Sequence, residues 1–193
     1  MGDAGDMMDV WAVVDWGKPL EKIQQPVPVP TGSEVLIKVT HAGVCHSDLH
    51  FQDGYYDLGP NKRMWVKDRG VKLPVAGGHE IYGTVVKTGP DATDVPIGAQ
   101  RAVYPWLGCG KCPRCDLGQD NMCSAQRSLS VVQNGGYAEY VLLPHPKYLA
   151  DTGDVDPAVA CTFGCSAITT LNAVSRKTRG ARDKKCVLLT KVR

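Results

Sequence analysis

Cys109, Cys112, Cys115 and Cys123 form a C-x-x-C-x-x-C run followed, after seven residues, by a fourth cysteine. Four thiols this close along one loop-like stretch suit a single tetrahedral metal ion, zinc above all. Short C-x-x-C steps let the backbone wrap an ion without long-range closure. Two disulfides or buried space-filling thiols are the bland alternatives, and three evenly stepped cysteines beside a fourth suit one ion better than two strain-free bridges. An iron–sulfur cluster takes the same four ligands and stays open at this point.

A second constellation is spread along the chain. The octapeptide GVCHSDLH holds Cys45, His46, Ser47, Asp48 and His50, the run GGHE holds His79 and Glu80, and FGCS holds Cys165. Two cysteines and one histidine make a three-ligand zinc site with an open fourth position, the arrangement of catalytic zinc. Taken singly, Cys45 or Cys165 reads as a buried thiol and His79 as a satisfied core imidazole. Their joint occurrence beside a four-cysteine knot carries the catalytic reading.

Something must position these groups. The chain has 193 residues, 43% of them hydrophobic, enough for one substantial core, and a formal net charge of +2 that implies neither a nucleic-acid nor an acidic-membrane surface. The cysteine loop carries only Lys111, Arg114 and Arg127 nearby, a poor base for nucleic-acid binding. The acidic opening MGDAGDMMDV resembles no signal peptide and no run of eighteen apolar residues occurs, so a cytoplasmic, thiol-reducing setting is expected. Residues 1–9 are expected to be mobile. Strands are expected at Val10–Asp15, Glu34–Thr40, Ile81–Thr88, Gln100–Tyr104, Tyr137–Leu143 and Tyr148–Ala150, with the proline-rich QQPVPVPTGS as an extended connector. Short strands punctuated by glycine and proline predict a mainly β unit, a small barrel or sandwich. From about Asp154 the pattern turns helical, and an apolar strand start follows at Cys186–Leu189.

The successive motifs GVCHSDLH, AGGHEIYGTVVKTG, CGKCPRC with Cys123, GGYAEYV and FGCS resemble, in order, the medium-chain, zinc-dependent alcohol dehydrogenase family. The resemblance implies a GroES-like β-barrel catalytic domain over residues 10–153, with a structural-zinc lobe at about 105–125. Residues 154–193 would begin a Rossmann cofactor domain with its first helix and strand. It implies two zinc ions per chain: a catalytic one on Cys45, His79 and Cys165, and a structural one on Cys109, Cys112, Cys115 and Cys123. It also implies NAD or NADP as hydride partner for a small alcohol or aldehyde. Within it, Asp48 matches the carboxylate that orients the ligating histidine. Glu80 matches the acidic neighbour that approaches the ion during ligand exchange, its bland reading being a buried carboxylate paired with a base. Ser47 and His50 match the hydroxyl and imidazole that pass the alcohol proton toward solvent, and His46 matches a contact to the cofactor pyrophosphate.

The sequence departs from that pattern in two places. Where a strand should enter G-x-G-x-x-G and a helix, it reads CVLLTKVR, so the expectation is a C-terminally truncated chain, inactive alone. The alternative is a zinc-stabilised, non-enzymatic module that docks on full-length relatives or on its own copies. The stretch from Asp53 to Leu73 is longer than in compact family members. It reads as a loop at the substrate entrance, with Tyr55, Tyr56 and Trp65 as candidate pocket residues and Trp106 as a weaker one.

Overall fold

Residues 6–178 are described by the structure, a computed structural model. Strand β1 (Met7–Val13) pairs antiparallel with β2 (Glu21–Pro26) and with β6 (Val75–Ala76). A larger antiparallel sheet runs in the order β10 (Leu149–Ala150), β8 (Gln100–Val103), β7 (Glu80–Thr88), β3 (Val35–Gly43), β9 (Tyr140–Leu143). Val10 bridges to Ala138, and the Trp11 N–H donates to the Tyr137 carbonyl at 2.8 Å, so the lead into β9 stitches the two sheets together. The architecture is mainly β with some helix, as expected.

Side-chain alternation explains how one sheet serves two faces. Along β7, Ile81 and Val85 turn into the main core with Val35, Ile37, Val103, Leu107, Leu129, Val141, Leu143 and Tyr148. Tyr82 turns the other way, onto Ala102, Ala160 and Cys161. The last two belong to α3 (Pro157–Ala160) and the 3₁₀ turn Cys161–Gly164 that continues it, which therefore pack against the sheet. Asp156 caps α3 by accepting the Ala158 N–H at 2.9 Å, with Pro157 in the first helical position. Helix α4 (Ser166–Thr178) follows, so the helical character expected after Asp154 is present.

Several expected boundaries are corrected. Met7, Met8 and Asp9 were expected to be mobile but pair with Pro26, Gln25 and Gln24, and Met8 is buried in a cluster with Val10, Ala12, Ala76 and Ala138. The same pairing makes Glu21–Pro26 a strand, which takes in Gln24, Gln25 and Pro26 of the expected connector. Its proline ends an edge strand, where a missing N–H costs little. Strand β9 starts at Tyr140, three residues later than expected, because Tyr137 and Ala138 face β1 instead. The Asp53–Leu73 loop contains a hairpin, β4 (Tyr55–Asp57) with β5 (Arg63–Trp65), and a 3₁₀ turn at Val66–Arg69. Buried Val66 pins that excursion to Val13, Phe51 and Val75. GVCHSDLH, for which no helix was expected, forms α1 (His46–Asp53), ended by Gly54 in the left-handed region at φ +84°. The expected strand Cys186–Leu189 lies outside the described residues.

Candidate functional site

Helix α1 starts where β3 ends, and Cys45 is its N-cap. Asp48, in the first turn, accepts the Cys45 N–H at 3.0 Å through Oδ2. Its Oδ1 accepts the Gly78 N–H at 3.0 Å and lies 3.0 Å from His79 Nδ1. The Tyr137 hydroxyl donates to Oδ2 at 3.3 Å. Four donors on one buried carboxylate fix the turn Gly77–His79 against α1. Gly78 is required there: its φ is +80°, and a Cβ would come within 2.5 Å of the Tyr137 ring.

With His79 Nδ1 engaged by Asp48, Nε2 faces the sulfurs. It lies 3.2 Å from Cys165 Sγ, and Cys165 Sγ lies 3.9 Å from Cys45 Sγ. Cys165 is delivered by the junction of the 3₁₀ turn and α4, its carbonyl accepting the Thr169 N–H at 3.0 Å. The three donor atoms all lie within 4.8 Å of one another. Hydrogen bonds from Cys165 and His79 hold the Cys45 thiol down to about 3. Burial pulls the His79 imidazole down, but its hydrogen bonds to Asp48 and Cys45 outweigh that and raise it to about 10. Cys165 is pushed up, first by its hydrogen bond to Cys45 and then by burial. The opposed shifts of the two thiols share one cause, the close packing of three ionisable donors at one point.

The second cluster is local. Helix α2 (Pro113–Asp116) begins at Cys112 with proline in its first turn, which turns Cys115 back toward Cys112. Sulfur separations are 3.6 Å for Cys112–Cys115, 3.8 Å for Cys112–Cys123 and 4.0 Å for Cys109–Cys115. A tetrahedron with metal–sulfur bonds of about 2.3 Å has sulfur–sulfur edges of about 3.8 Å, so both donor sets fit a zinc-sized ion. The backbone N–H groups of Cys109 and Ala125 each point at Cys123 Sγ at 3.4 Å, as suits a thiolate. The Lys111 N–H lowers the Cys109 thiol, but burial and the three neighbouring cysteines outweigh it and push the group up to about 11.

The knot also frames the site's wall. The Arg127 N–H donates to the Leu107 carbonyl at 2.8 Å and the Leu129 N–H to the Pro105 carbonyl at 3.1 Å, pairing the two legs of the loop. Those legs carry Pro105, Trp106, Leu129, Ser130 and Val131, which line a cavity of about 40 Å³ with Ser47, Asp48, Phe51, Tyr56, Arg69 and His79. The Trp106 ring lies 6.3 Å from that of His79.

Of the expected pocket aromatics, Tyr56 and Trp106 line this cavity and Trp65 lines an outer cleft with His46 and His50. Tyr55 lines neither and packs on Trp65, ring centroids 5.6 Å apart. Ser47 faces the inner cavity and His50 the outer cleft, three residues apart on α1. Buried Glu80 pairs with no basic side chain among the described residues. It accepts both the Ser166 N–H, at 3.0 Å, and the Ser166 hydroxyl, and so holds the N-terminus of α4. Sequence reasoning missed Phe51, Arg69, Ser130 and the role of Tyr137. GGYAEYV contained the signal for the last, an aromatic directly after two glycines.

The chain belongs to the medium-chain alcohol dehydrogenase family, residues 31–153 matching the alcohol dehydrogenase GroES-like domain. An NAD-dependent alcohol dehydrogenase of Sulfurisphaera tokodaii is 43% identical over 169 residues, 88% of this chain and 48% of that protein. One from Saccharolobus solfataricus is 43% identical over 164 residues, 85% and 46% of the two chains. Among solved structures, the D-arabinose dehydrogenase from Sulfolobus solfataricus superposes with a TM-score of 0.75 at 27% identity, covering 90% of this chain and 49% of that one. A thermostable alcohol dehydrogenase from Pyrobaculum aerophilum gives 0.73 at 31% identity, over 89% and 48%. The chain spans about half the length of the curated relatives it matches.

Proposed function

We propose that this chain supplies the zinc-binding and proton-handling part of an NAD(P)-dependent alcohol dehydrogenase that interconverts an alcohol with an aldehyde or ketone. The observation that carries the reading is the convergence of Cys45 Sγ, His79 Nε2 and Cys165 Sγ, with Asp48 fixing the imidazole from behind. Cys45, His79 and Cys165 would hold one zinc, and Cys109, Cys112, Cys115 and Cys123 a second, structural one. Zinc in the three-donor site supplies Lewis-acid polarisation of an alcohol or carbonyl oxygen, and a nicotinamide supplies the hydride partner. Among the described residues no strand runs into a G-x-G-x-x-G turn, so these residues build no pyrophosphate cradle. Of them, His46, exposed on the outer cleft, is the candidate that the family pattern offers for a contact to the dinucleotide.

The side chains divide the remaining work. Trp106, Phe51, Leu129 and Val131 exclude water beside His79, which strengthens every polar interaction there. Ser47, inside the cavity, accepts the substrate's hydroxyl proton, and His50, one helical turn on, delivers it to the outer cleft. A cytosolic, thiol-reducing setting is part of the proposal, because both donor sets need reduced cysteines.

The test is metal content and exchange. The purified chain is expected to hold two zinc ions, and cobalt exchanged into the three-donor site is expected to give thiolate charge-transfer absorption that Cys45→Ser abolishes. One zinc in the wild type, lost only with Cys112→Ser, would sink the catalytic reading. Residues 1–193 alone are expected not to turn over alcohols with NAD or NADP, and clear turnover would overturn that part. A second reading, a module that docks on full-length relatives, draws on the exposure of Val159, Ile168 and Leu171 along α3 and α4. Co-purification with a full-length relative would favour it.

A further inference from the structure

Among the described residues Arg69, an exposed residue, is the only lysine or arginine lining the inner cavity beside His79 and Trp106. It has no ion pair or hydrogen bond among the described residues. Its position is built, not incidental. The 3₁₀ turn that carries it is anchored by buried Val66, whose N–H donates to the Gly54 carbonyl at 2.9 Å. The turn closes on Gly70 at φ +75°, whose N–H returns to the Lys67 carbonyl at 3.2 Å. The cavity's one carboxylate, Asp48, makes its hydrogen bonds to Cys45, Gly78, His79 and Tyr137 and none to Arg69. Burial raises the Tyr56 phenol, the charge of Arg69 opposes that rise and those of Asp48, Cys45 and Cys165 add to it, so the guanidinium is the positive group acting on this cavity wall.

The segment that carries Arg69 has the same sign of charge. Residues 55–70 contain Lys62, Arg63, Lys67 and Arg69 against Asp57 and Asp68. Lys62 and Arg63 line the outer cleft with His46 and His50, while Asp57 there accepts the Gly59 N–H at 2.9 Å. Two of these cations sit over aromatic faces, Arg63 at 4.1 Å from the Tyr55 ring centroid and Lys67 at 5.5 Å from that of Trp65. Arg69 has no such ring. A guanidinium with its donors free presents a fork that matches a carboxylate or phosphate bidentately.

We propose that Arg69 is a specificity-determining residue that binds an anionic group, a carboxylate or phosphate, carried by the alcohol substrate. The proposal rests on the dehydrogenase reading above. Two sources could bring such a group, the substrate or the diphosphate of the dinucleotide. The position of Arg69 favours the substrate, because it shares the inner cavity with Phe51 and Trp106 while His46 lies on the outer cleft.

The experiment uses the cobalt-exchanged 193-residue chain and reads ligand entry by the change in its visible absorption. The probes are glycolate and 3-hydroxypropionate, their uncharged counterparts ethylene glycol and propane-1,3-diol, and ADP-ribose for the diphosphate. The wild type is expected to bind a hydroxy acid about ten-fold or more tightly than the matching diol. Arg69→Gln should bring that ratio to within about two-fold, and Arg69→Lys should restore part of it. In the wild type, which needs no variant to fold, raising potassium chloride should weaken the hydroxy acid and not the diol. An unchanged ratio in Arg69→Gln, or equal binding of acid and diol by the wild type, overturns the proposal. So does a variant that loses ADP-ribose alone. If the cobalt bands that Cys45→Ser removes never form before any probe is added, the metal reading itself fails and takes the proposal with it. Bands that form but do not discriminate the probes sink only the role of Arg69.

Discussion

Asp48 Oδ1 lies 3.0 Å from His79 Nδ1, and both side chains are buried. The two residues come from different elements, α1 and the turn before β7, and the contact does two jobs. It fixes which imidazole nitrogen faces Cys165, and with the Gly78 N–H on the same oxygen it fixes where the ring stands. Asp48 also caps α1 through the Cys45 N–H, so one carboxylate positions two of the three donors.

Asp48→Ala should therefore weaken metal at the three-donor site about 10- to 100-fold. Competition with a chromophoric chelator would measure this. The four-cysteine site should release its metal unchanged, because no Asp48 contact reaches it. Equal weakening of both sites would mean that the substitution simply unfolds the chain.

Cys112→Ser is expected to lower zinc content by one ion and also to loosen the cavity wall. The knot closes a loop whose legs place Leu107 and Leu129 in the main core and Trp106 beside His79. Thermal unfolding should shift to lower temperature and Trp106 emission should move to the red. Cys45→Ser should lower zinc content equally with a much smaller thermal shift. Indistinguishable melting of the two variants would argue against the wall's dependence on the knot.

Glu80→Ala removes the acceptor that holds the first N–H of α4. A carboxylate at a helix N-terminus, fully buried and hydrogen-bonded, should cost about 1–3 kcal/mol when lost. Chemical denaturation would read it, and Glu80→Gln should recover about half. Gly43→Ala should act in the same direction, since its Cβ would stand 2.6 Å from Glu80 Oε2.

Stability should fall on the alkaline side. Burial and then the hydrogen bond to Asp120 raise the Tyr148 phenol, and burial and then the Asp120 charge raise Tyr104. A phenol raised in the folded state holds its proton when the unfolded chain has lost it. Its contribution is therefore complete below the unfolded value, about 10, and is lost as pH rises through the folded value. Denaturant midpoints should drop above about pH 10. Tyr148→Phe should flatten the drop and cost about 1–3 kcal/mol at neutral pH, because Asp120 and the Gly108 N–H lose a buried partner.

The sheet was readable because period-two alternation in EVLIKVT and IYGTVVKT survives in any environment that buries one face. Strand β2 was not, because EKIQQP has little alternation of its own and becomes a strand by pairing with Met7–Ala12. Helix α1 was missed for a related reason: HSDLHFQD carries no apolar stripe, and it is Asp48 and Phe51 turned inward that hold it. The hairpin at Tyr55–Trp65 is likewise pinned from outside itself, by Val66 among Val13, Phe51 and Val75.

The sequence by itself determined the donor atoms, and for Cys109, Cys112, Cys115 and Cys123 nearly their geometry, since all four lie within one short stretch whose closure costs little. Only the tertiary structure decided that Cys45, His79 and Cys165 meet, that Asp48 stands behind His79, and that Arg69 looks into the same cavity. Those contacts join residues far apart in the chain. The closure entropy is offset by burial of two sheets, a helix and a hairpin, and that burial is a property of the whole fold, which no single motif encodes.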